Sequence, residues 1–194
     1  NEIQFEEANV VQKEALIALK KTRSDQGQNK GLVVMATGMG KTILSALDVK
    51  ELNPKKILFV AHRDLIIKKS KETFEFFMPN KKYGFYMGKD KDEKKDFIFA
   101  SIQTLGKKKQ LERFKKDNFD YIIVDEFHHV GAKSYNGLVD YFKPKFFLGL
   151  TATPNRTDNI DIMKFCGDNL IYEKGLIDGV NLKILCNFDY VGIN

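Results

Sequence analysis

A glycine-rich segment, residues 35–42, combines the residue types that hold a polyphosphate. It lies between an apolar run at 32–34 and a stretch with helical spacing that begins at Ile43, which is the setting of a phosphate-binding loop. Gly38 and Gly40 allow the backbone N–H groups to turn inward, and the positive end of the following helix adds to their attraction for phosphate. We therefore predict that a nucleotide contacts Thr37, Gly38, Met39, Gly40, Lys41 and Thr42.

Two side chains at the end of this segment have separate chemical tasks. Lys41 is expected to reach the outer phosphates, and the hydroxyl of Thr42 is expected to ligate the Mg²⁺ that accompanies ATP. Met35 stands where the general pattern has glycine, but it falls at the end of the predicted strand, where we expect little effect. The alternative is a glycine turn without a ligand, which the periodicity of both flanks disfavours.

Two adjacent carboxylates follow another apolar run. Residues 121–124 lead directly into Asp125 and Glu126, and open α/β sheets bind ligands at such carboxyl ends of strands. We expect Asp125 to hold Mg²⁺ through its water shell, and Glu126 to orient or deprotonate the water that attacks the γ-phosphate. The two acids could instead be a solvated strand end, but the phosphate-binding loop favours catalysis. The predicted catalytic residues are Lys41, Asp125 and Glu126.

Apolar periodicity predicts the elements that position these residues. Apolar spacing of three and four indicates helices near residues 8–19, 43–53 and 66–77. Continuous apolar runs indicate strands at 32–34, 57–60, 97–100, 121–124 and 146–150. The charged stretch 88–96 is expected to be a loop, and 182–193 is expected to be strand. The pattern predicts an α/β fold with a mostly parallel central sheet and helices on both faces.

Several segments resemble the motifs of one protein family. Residues 125–128, Asp-Glu-Phe-His, resemble the Asp-Glu-x-His box of superfamily 2 helicases and translocases, and residues 151–154, Thr-Ala-Thr-Pro, resemble their next motif. The motifs follow the family's order along nearly the whole chain. They are most similar to the restriction-type group, which includes type I and type III restriction motors and excision-repair helicases. The resemblance implies a three-layer P-loop NTPase fold, as the first of two RecA-like motor domains.

The resemblance also implies roles for residues outside the phosphate-binding loop. Gln12 is similar to the glutamine that reads adenine, although Asn9 stands where relatives often have arginine. His128, Thr151 and Thr153 would couple nucleotide state to nucleic-acid binding. Segments 61–63 and 100–105 resemble motifs that line nucleic acid, and the predicted contacts within them are His62, Arg63, Gln103 and Thr104.

Each of these roles has a simpler alternative. Gln12 could be an ordinary polar residue of the first helix, and the two threonines near 151–153 could end a strand. His62 and Arg63 could merely begin a helix. His128 and His129 are adjacent, point in different directions and have no further ligands in the sequence, which disfavours zinc.

Length and composition are those of a globular domain with room for a sizeable core. The chain has 194 residues, of which 43% are hydrophobic and 30% charged. The formal net charge of +6 suits a polyanionic partner without requiring one. Cys166 and Cys186 have no metal-ligand spacing, and no apolar run is long enough for a membrane span or signal peptide, so we expect a reduced, cytoplasmic protein.

These observations predict the ATP-binding half of a helicase or translocase that acts on DNA, most simply on double-stranded DNA. We expect all 194 residues to form one domain that is a fragment of a longer chain, with about 181–194 beginning the connection to a second RecA-like domain. A nuclease or a restriction or repair subunit is a further possible partner. Because arginine fingers would come from the second domain, the isolated chain is expected to hydrolyse ATP weakly.

Two other functions share some of these features. A nucleotide kinase also has a phosphate-binding loop, but it does not need the Asp-Glu-x-His and Thr-Ala-Thr segments. The other alternative is a non-catalytic DNA-binding module of a restriction or repair complex, either gated by nucleotide or with a nucleotide pocket that is only vestigial. Every expected residue of that site is present, which argues against decay.

Overall fold

An eight-stranded sheet forms the centre of the molecule, and a computed structural model describes it over residues 8–126, 133–152 and 163–185. The strands are Lys30–Met35 (β1), Ile57–Ala61 (β2), Tyr83–Met87 (β3), Asp90–Lys91 (β4), Phe97–Ser101 (β5), Tyr121–Val124 (β6), Phe146–Thr151 (β7) and Leu170–Lys174 (β8). The helices are Val10–Ser24 (α1), Lys41–Leu52 (α2), Asp64–Phe77 (α3), Ile102–Leu105 (α4), Lys108–Leu111 (α5), Lys133–Tyr141 (α6) and Leu176–Asn181 (α7).

The order of the strands brings the predicted site residues to one edge of the sheet. Across the sheet the strands run β4-β3-β5-β2-β6-β7-β1-β8, and all described pairs are parallel except β3 with β4. The carboxyl ends of β1, β2, β5, β6 and β7 therefore point the same way. The prediction of a mostly parallel α/β sheet is confirmed.

Two apolar layers cover the sheet, because side chains on a strand alternate between its faces. In β2, Ile57, Phe59 and Ala61 pack with α1, α2 and α3, whereas Leu58 and Val60 pack with α4, α5 and α6. All five are fully buried. Burial of a large apolar side chain contributes about 1.5–3 kcal/mol, so these layers are the main stabilising feature of the fold.

An aromatic cluster fixes α3 against the sheet. The ring of Phe59 stacks on Phe99 with centroids 5.4 Å apart, and Phe74 of α3 meets Phe99 edge-on at 5.2 Å. Asp64 begins α3 and complements the positive end of the helix dipole. The two residues between β2 and α3 are consequently held at the carboxyl edge of the sheet.

A buried ionic network joins three elements. Arg23 of α1 donates to both carboxylate oxygens of Asp48 in α2, at 2.8 and 2.6 Å, and the hydroxyl of Tyr121 donates to Asp48 at 2.6 Å. The Arg23 guanidinium also lies 5.0 Å from the ring centre of Phe146. Because the Asp48 side chain is completely buried, these partners are needed to offset the energetic cost of burying its charge.

Three parts of the sheet and its surroundings differ from the sequence-based expectations. Strand β4 lies inside the stretch 88–96, which we expected to be a loop, and β3 precedes it where no strand was predicted. Strand β8 was also missed. The prediction of strand at 182–193 is wrong for residues 182–185, which form turns, and the rest of that segment lies outside the described residues. No helix within the three described ranges is long and apolar enough to cross a membrane.

Candidate nucleotide site

The phosphate-binding loop needs glycine at two positions. Gly38 and Gly40 have φ values of 87° and 84°, in the left-handed region where a side chain is strained. A Cβ atom on Gly40 would also lie 2.2 Å from Nε2 of Gln12. Gly40 is the N-cap of α2, so the loop delivers its backbone directly to the positive end of that helix.

Lys41 folds back toward the strand that precedes the loop. Its Nζ donates to the carbonyl oxygen of Met35 at 3.0 Å. Burial lowers the pKa of Lys41, and the nearby carboxylates of Asp125 and Glu126 oppose that shift. Met35 is the last residue of β1 and is fully buried, as its position in the sequence predicts.

Gln12 lies against the loop from the side of α1. Its Oε1 accepts from the backbone N–H of Asn9 at 3.0 Å, and Oδ1 of Asn9 accepts from the N–H of Gln12 at 2.9 Å, which caps the helix reciprocally. The amide Nε2 of Gln12 donates to the carbonyl of Gly40 at 3.2 Å and lies 3.4 Å from that of Met39. Gln12 is thus more than a polar surface residue, and its predicted contact with adenine remains a prediction.

The two carboxylates stand at the end of β6. The N–H of Asp125 donates to Val60 of β2 at 2.9 Å, and Oδ1 of Asp125 accepts from the N–H of Glu126 at 2.9 Å. Burial raises the pKa of Asp125, while the ammonium of Lys41 acts in the opposite direction. Glu126 has a φ of 55°, an uncommon conformation for a residue with a side chain.

One cavity of about 600 Å³ is lined by the three predicted catalytic residues and by most of the predicted nucleotide-binding residues, although Gln12 and Met39 are not part of its lining. Lys41 and Thr42 line it on one side, and Asp125 and Glu126 line it on another. The chemistry of these donors fits a Mg²⁺–polyphosphate, because Mg²⁺ takes a few hard oxygen ligands and keeps several waters. No group of three or more His, Cys, Asp or Glu side chains that could hold a metal ion occurs within the described ranges.

The opposite wall of this cavity was not identified as part of the site from the sequence. Helix α3 contributes Ile66, Lys69, Ser70 and Thr73. Ser70 is buried, and its Oγ has no hydrogen-bond partner among the described residues. The available signal was the presence of polar residues on a helix face that otherwise faces the core.

The residues predicted to contact nucleic acid come from the ends of β2 and β5, which are neighbours in the sheet. Ala61 pairs with Ser101, and the amide of Gln103 donates to the carbonyl of His62 at 2.8 Å. Arg63 and Gln103 are exposed, whereas the hydroxyl of Thr104 accepts from the N–H of Gly88 at 3.3 Å. The structure thus brings these four residues together, and their contact with nucleic acid remains a prediction.

The predicted coupling residues are only partly described. Thr151 is the buried last residue of β7, beside Val34 of β1, and the following Ala152 lines the cavity. His128 and Thr153 lie outside the described residues, as do His129 and Cys186. Cys166 is buried against the sheet.

Comparison with known families gives one match that covers most of the chain. The model of the family described as "Type III restriction enzyme, res subunit" matches residues 6–156. Over 185 residues, the chain is 29% identical to the putative ATP-dependent helicase IRC3 of Saccharomyces cerevisiae, a match that covers 87% of this chain and 26% of that protein.

Two further comparisons agree with this match. The chain is 31% identical over 183 residues to the type I restriction enzyme EcoAI endonuclease subunit of Escherichia coli, covering 87% of this chain and 22% of the relative. The solved structure of the Sulfolobus solfataricus SWI2/SNF2 ATPase core in complex with dsDNA is similar with a TM-score of 0.64 and 23% identity, over 82% of this chain and 36% of that one. The chain spans about a quarter of the length of the two curated relatives.

Proposed function

Because the chain belongs to the family of the type III restriction enzyme res subunit, within the superfamily 2 helicases and translocases, we propose that it is the ATP-binding half of a DNA-dependent ATPase. One observation carries this proposal. Lys41, Thr42, Asp125 and Glu126 come from two distant segments of the sequence and line a single cavity. That set supplies a cation for the phosphates, oxygen ligands for a metal and a base for water.

The residues of the cavity, together with Gln12 and the predicted coupling residues, divide the hydrolysis of ATP among them. The loop N–H groups and Lys41 bind the phosphates, and Gln12 recognises adenine. Thr42 would hold Mg²⁺ directly and Asp125 would hold it through water, and the bound ion would supply neutralisation of the phosphate charge. Glu126 orients the attacking water and accepts its proton. Thr151, His128 and Thr153 then relate the state of the nucleotide to the DNA.

DNA binds at the edge formed by the ends of β2 and β5. His62, Arg63, Gln103 and Thr104 contact its phosphates there, which carry no sequence information and so suit movement along DNA. Two relatives support this choice of ligand: a restriction endonuclease subunit and an ATPase core solved with dsDNA. Binding should weaken steeply with added salt, because phosphate contacts release counterions.

The complete motor contains a second RecA-like domain in the same polypeptide, reached through residues 181–194. That domain closes over ATP and supplies the arginine fingers. The similarity to an endonuclease subunit also supports a nuclease or another restriction or repair subunit as partner. The biological process depends on those additional parts.

The test is steady-state ATP hydrolysis by the full-length protein, with and without double-stranded DNA. Glu126→Gln keeps the size of the side chain and removes the base, so it should bind ATP and abolish stimulated turnover. Lys41→Ala should lose ATP binding as well. Duplex RNA serves as the competing polymer.

Two results would reject this function. The absence of DNA-stimulated turnover in the wild-type full-length protein would instead favour the non-catalytic DNA-binding module. Equal stimulation by duplex RNA and duplex DNA would remove DNA as the specific partner.

A further inference from the structure

His62 occupies the middle of three adjacent strand ends. Strand β2 lies between β5, which is followed by Gln103 in α4, and β6, which is followed by Glu126. We infer that His62 is a positioning residue that restrains Glu126 until DNA phosphates engage Arg63 and Gln103 beside it. This inference rests on the proposed function and adds the route by which DNA changes the rate of ATP hydrolysis.

The His62 ring makes contacts on two sides. Its Nδ1 contacts Oε2 of Glu126. Its Nε2 accepts from Nε of Arg63 at 3.2 Å. Since Nε2 accepts, Nδ1 carries the proton of the neutral ring, and this side of the ring faces Oε2 of Glu126 in close contact without a well-aligned hydrogen bond. These contacts link Arg63 through His62 to Glu126, the predicted catalytic base.

The backbone conformation of Glu126 makes the orientation of this residue depend on contacts such as the one with His62. A non-glycine residue in the left-handed region is strained, so its orientation must be imposed by surrounding contacts. Asp125 holds the N–H of Glu126, and His62 holds one carboxylate oxygen. A carboxylate oxygen that faces the Nδ1 proton is a poorer acceptor for the proton of water.

DNA binding is expected to act on the contacts that Arg63 and Gln103 make with His62. Arg63 is exposed, and a phosphate oxygen is a stronger partner for its guanidinium than a neutral imidazole nitrogen. Gln103 is also exposed, and its amide is held by the carbonyl of His62. When phosphates take these two donors, His62 loses contacts that fix its position, and Glu126 is released to act on water.

Three substitutions of His62 in the full-length protein separate the two ends of the ring. Gln places its amide near the position of Nε2, so His62→Gln keeps the link to Arg63 and loses the contact with Glu126. Asn places its amide near Nδ1, so His62→Asn keeps the contact with Glu126 and loses the link to Arg63. Ala removes both. The measured quantities are kcat and KM for ATP without DNA and with saturating double-stranded DNA.

The expected results differ between the variants. His62→Gln and His62→Ala should raise kcat without DNA about tenfold, since a general base contributes about 10²- to 10⁴-fold and is here only partly restrained. Their stimulation by DNA should fall toward one, with KM for ATP changed less than about twofold. His62→Asn should raise kcat without DNA less than His62→Ala does, and it should also lose stimulation.

The controls distinguish this inference from its premise. Wild-type turnover that DNA does not stimulate overturns the proposed function and the inference with it. If DNA stimulates the wild type, unchanged stimulation in His62→Gln and His62→Ala overturns the inference alone. A fall in DNA affinity with full stimulation at saturating DNA also overturns it, because His62 would then contact phosphate without restraining Glu126.

Discussion

At the residue scale, Gln12 connects the first helix to the phosphate-binding loop through every polar atom of its amide. One side of the amide caps α1 through Asn9, and the other side bonds the carbonyl of Gly40. The resemblance identified Gln12, but periodicity did not, because hydrogen bonds between distant residues leave no trace in apolar spacing. A ligand that contacts Gln12 therefore also affects the phosphate-binding loop, through the hydrogen bond to Gly40.

Gln12→Ala is expected to weaken ATP binding about tenfold, which corresponds to about 1.4 kcal/mol, and to reduce the preference for ATP over GTP. The loss combines the contact with adenine and the support of the loop, since a hydrogen bond contributes about 0.5–1.5 kcal/mol. Titration with fluorescent ATP and GTP analogues measures both effects. Gln26→Ala is the control, because Gln26 is exposed just after the end of α1, the helix that contains Gln12. An unchanged ATP-to-GTP ratio in Gln12→Ala would contradict adenine recognition by Gln12.

Cys166 should be chemically inert in the native protein. Burial raises the pKa of its thiol to about 12, so almost no thiolate forms near pH 8. Between the ordinary thiol pKa and about 12 the unfolded chain loses this proton first, so this group makes the folded state less stable as pH rises. Labelling with iodoacetamide at pH 8, followed by peptide mass spectrometry, should find Cys166 modified only after unfolding. Stoichiometric labelling of native Cys166 would show that the thiol is not buried.

At the element scale, two ion pairs join α1 to α2 in different environments. Arg23 and Asp48 have side chains that are 16% and 0% exposed, whereas Lys20, paired with Glu51, is 64% exposed. Arg23→Met leaves the buried charge of Asp48 without its main partner and should lower the free energy of unfolding by about 3–5 kcal/mol. Lys20→Met should cost about 0–1 kcal/mol. Urea denaturation measures both, and equal losses would mean that burial of the Arg23 pair is unimportant.

The strands that the sequence predicted share one property: both faces are covered. Each of β1, β2, β5, β6 and β7 contains a continuous apolar run, which the parallel sheet requires. The strands that were missed lie toward the edges. Strand β8 is partly exposed along its whole length, and two-residue β4 is charged. An edge strand needs no apolar run, so its pairing cannot be read from local composition.

At the scale of the whole molecule, the sequence identified two of the three segments that line the nucleotide cavity but missed the contribution of α3. The phosphate-binding loop and the Asp125-Glu126 pair have recognisable local patterns, whereas Lys69, Ser70 and Thr73 of α3 reach the cavity only through the packing of α3 beside α2. The contact between His62 and Glu126 was missed for a similar reason. It depends on β2 lying next to β6, and strand order is not a local property of sequence.

A protein limited to these 194 residues should bind ATP weakly and turn it over at least about 10³-fold more slowly than the DNA-stimulated full-length protein, because an arginine finger from the proposed second domain would contribute about 10³- to 10⁵-fold. Single-turnover hydrolysis by the two proteins, with DNA present, measures the difference. Comparable rates would show that the residues of this chain suffice for catalysis.

The left-handed backbone of Glu126 sets stability against activity at a single position. Glycine would relax that conformation, so Glu126→Gly should raise the free energy of unfolding by up to about 1 kcal/mol while eliminating turnover. Asp168→Gly, at an exposed residue with the same φ of 55° and away from the cavity, should stabilise without loss of activity. Under the proposed function, selection for ATP hydrolysis therefore maintains Glu126 although glycine would make the domain more stable. In copies of this domain that no longer hydrolyse ATP, position 126 is expected to drift toward glycine or asparagine.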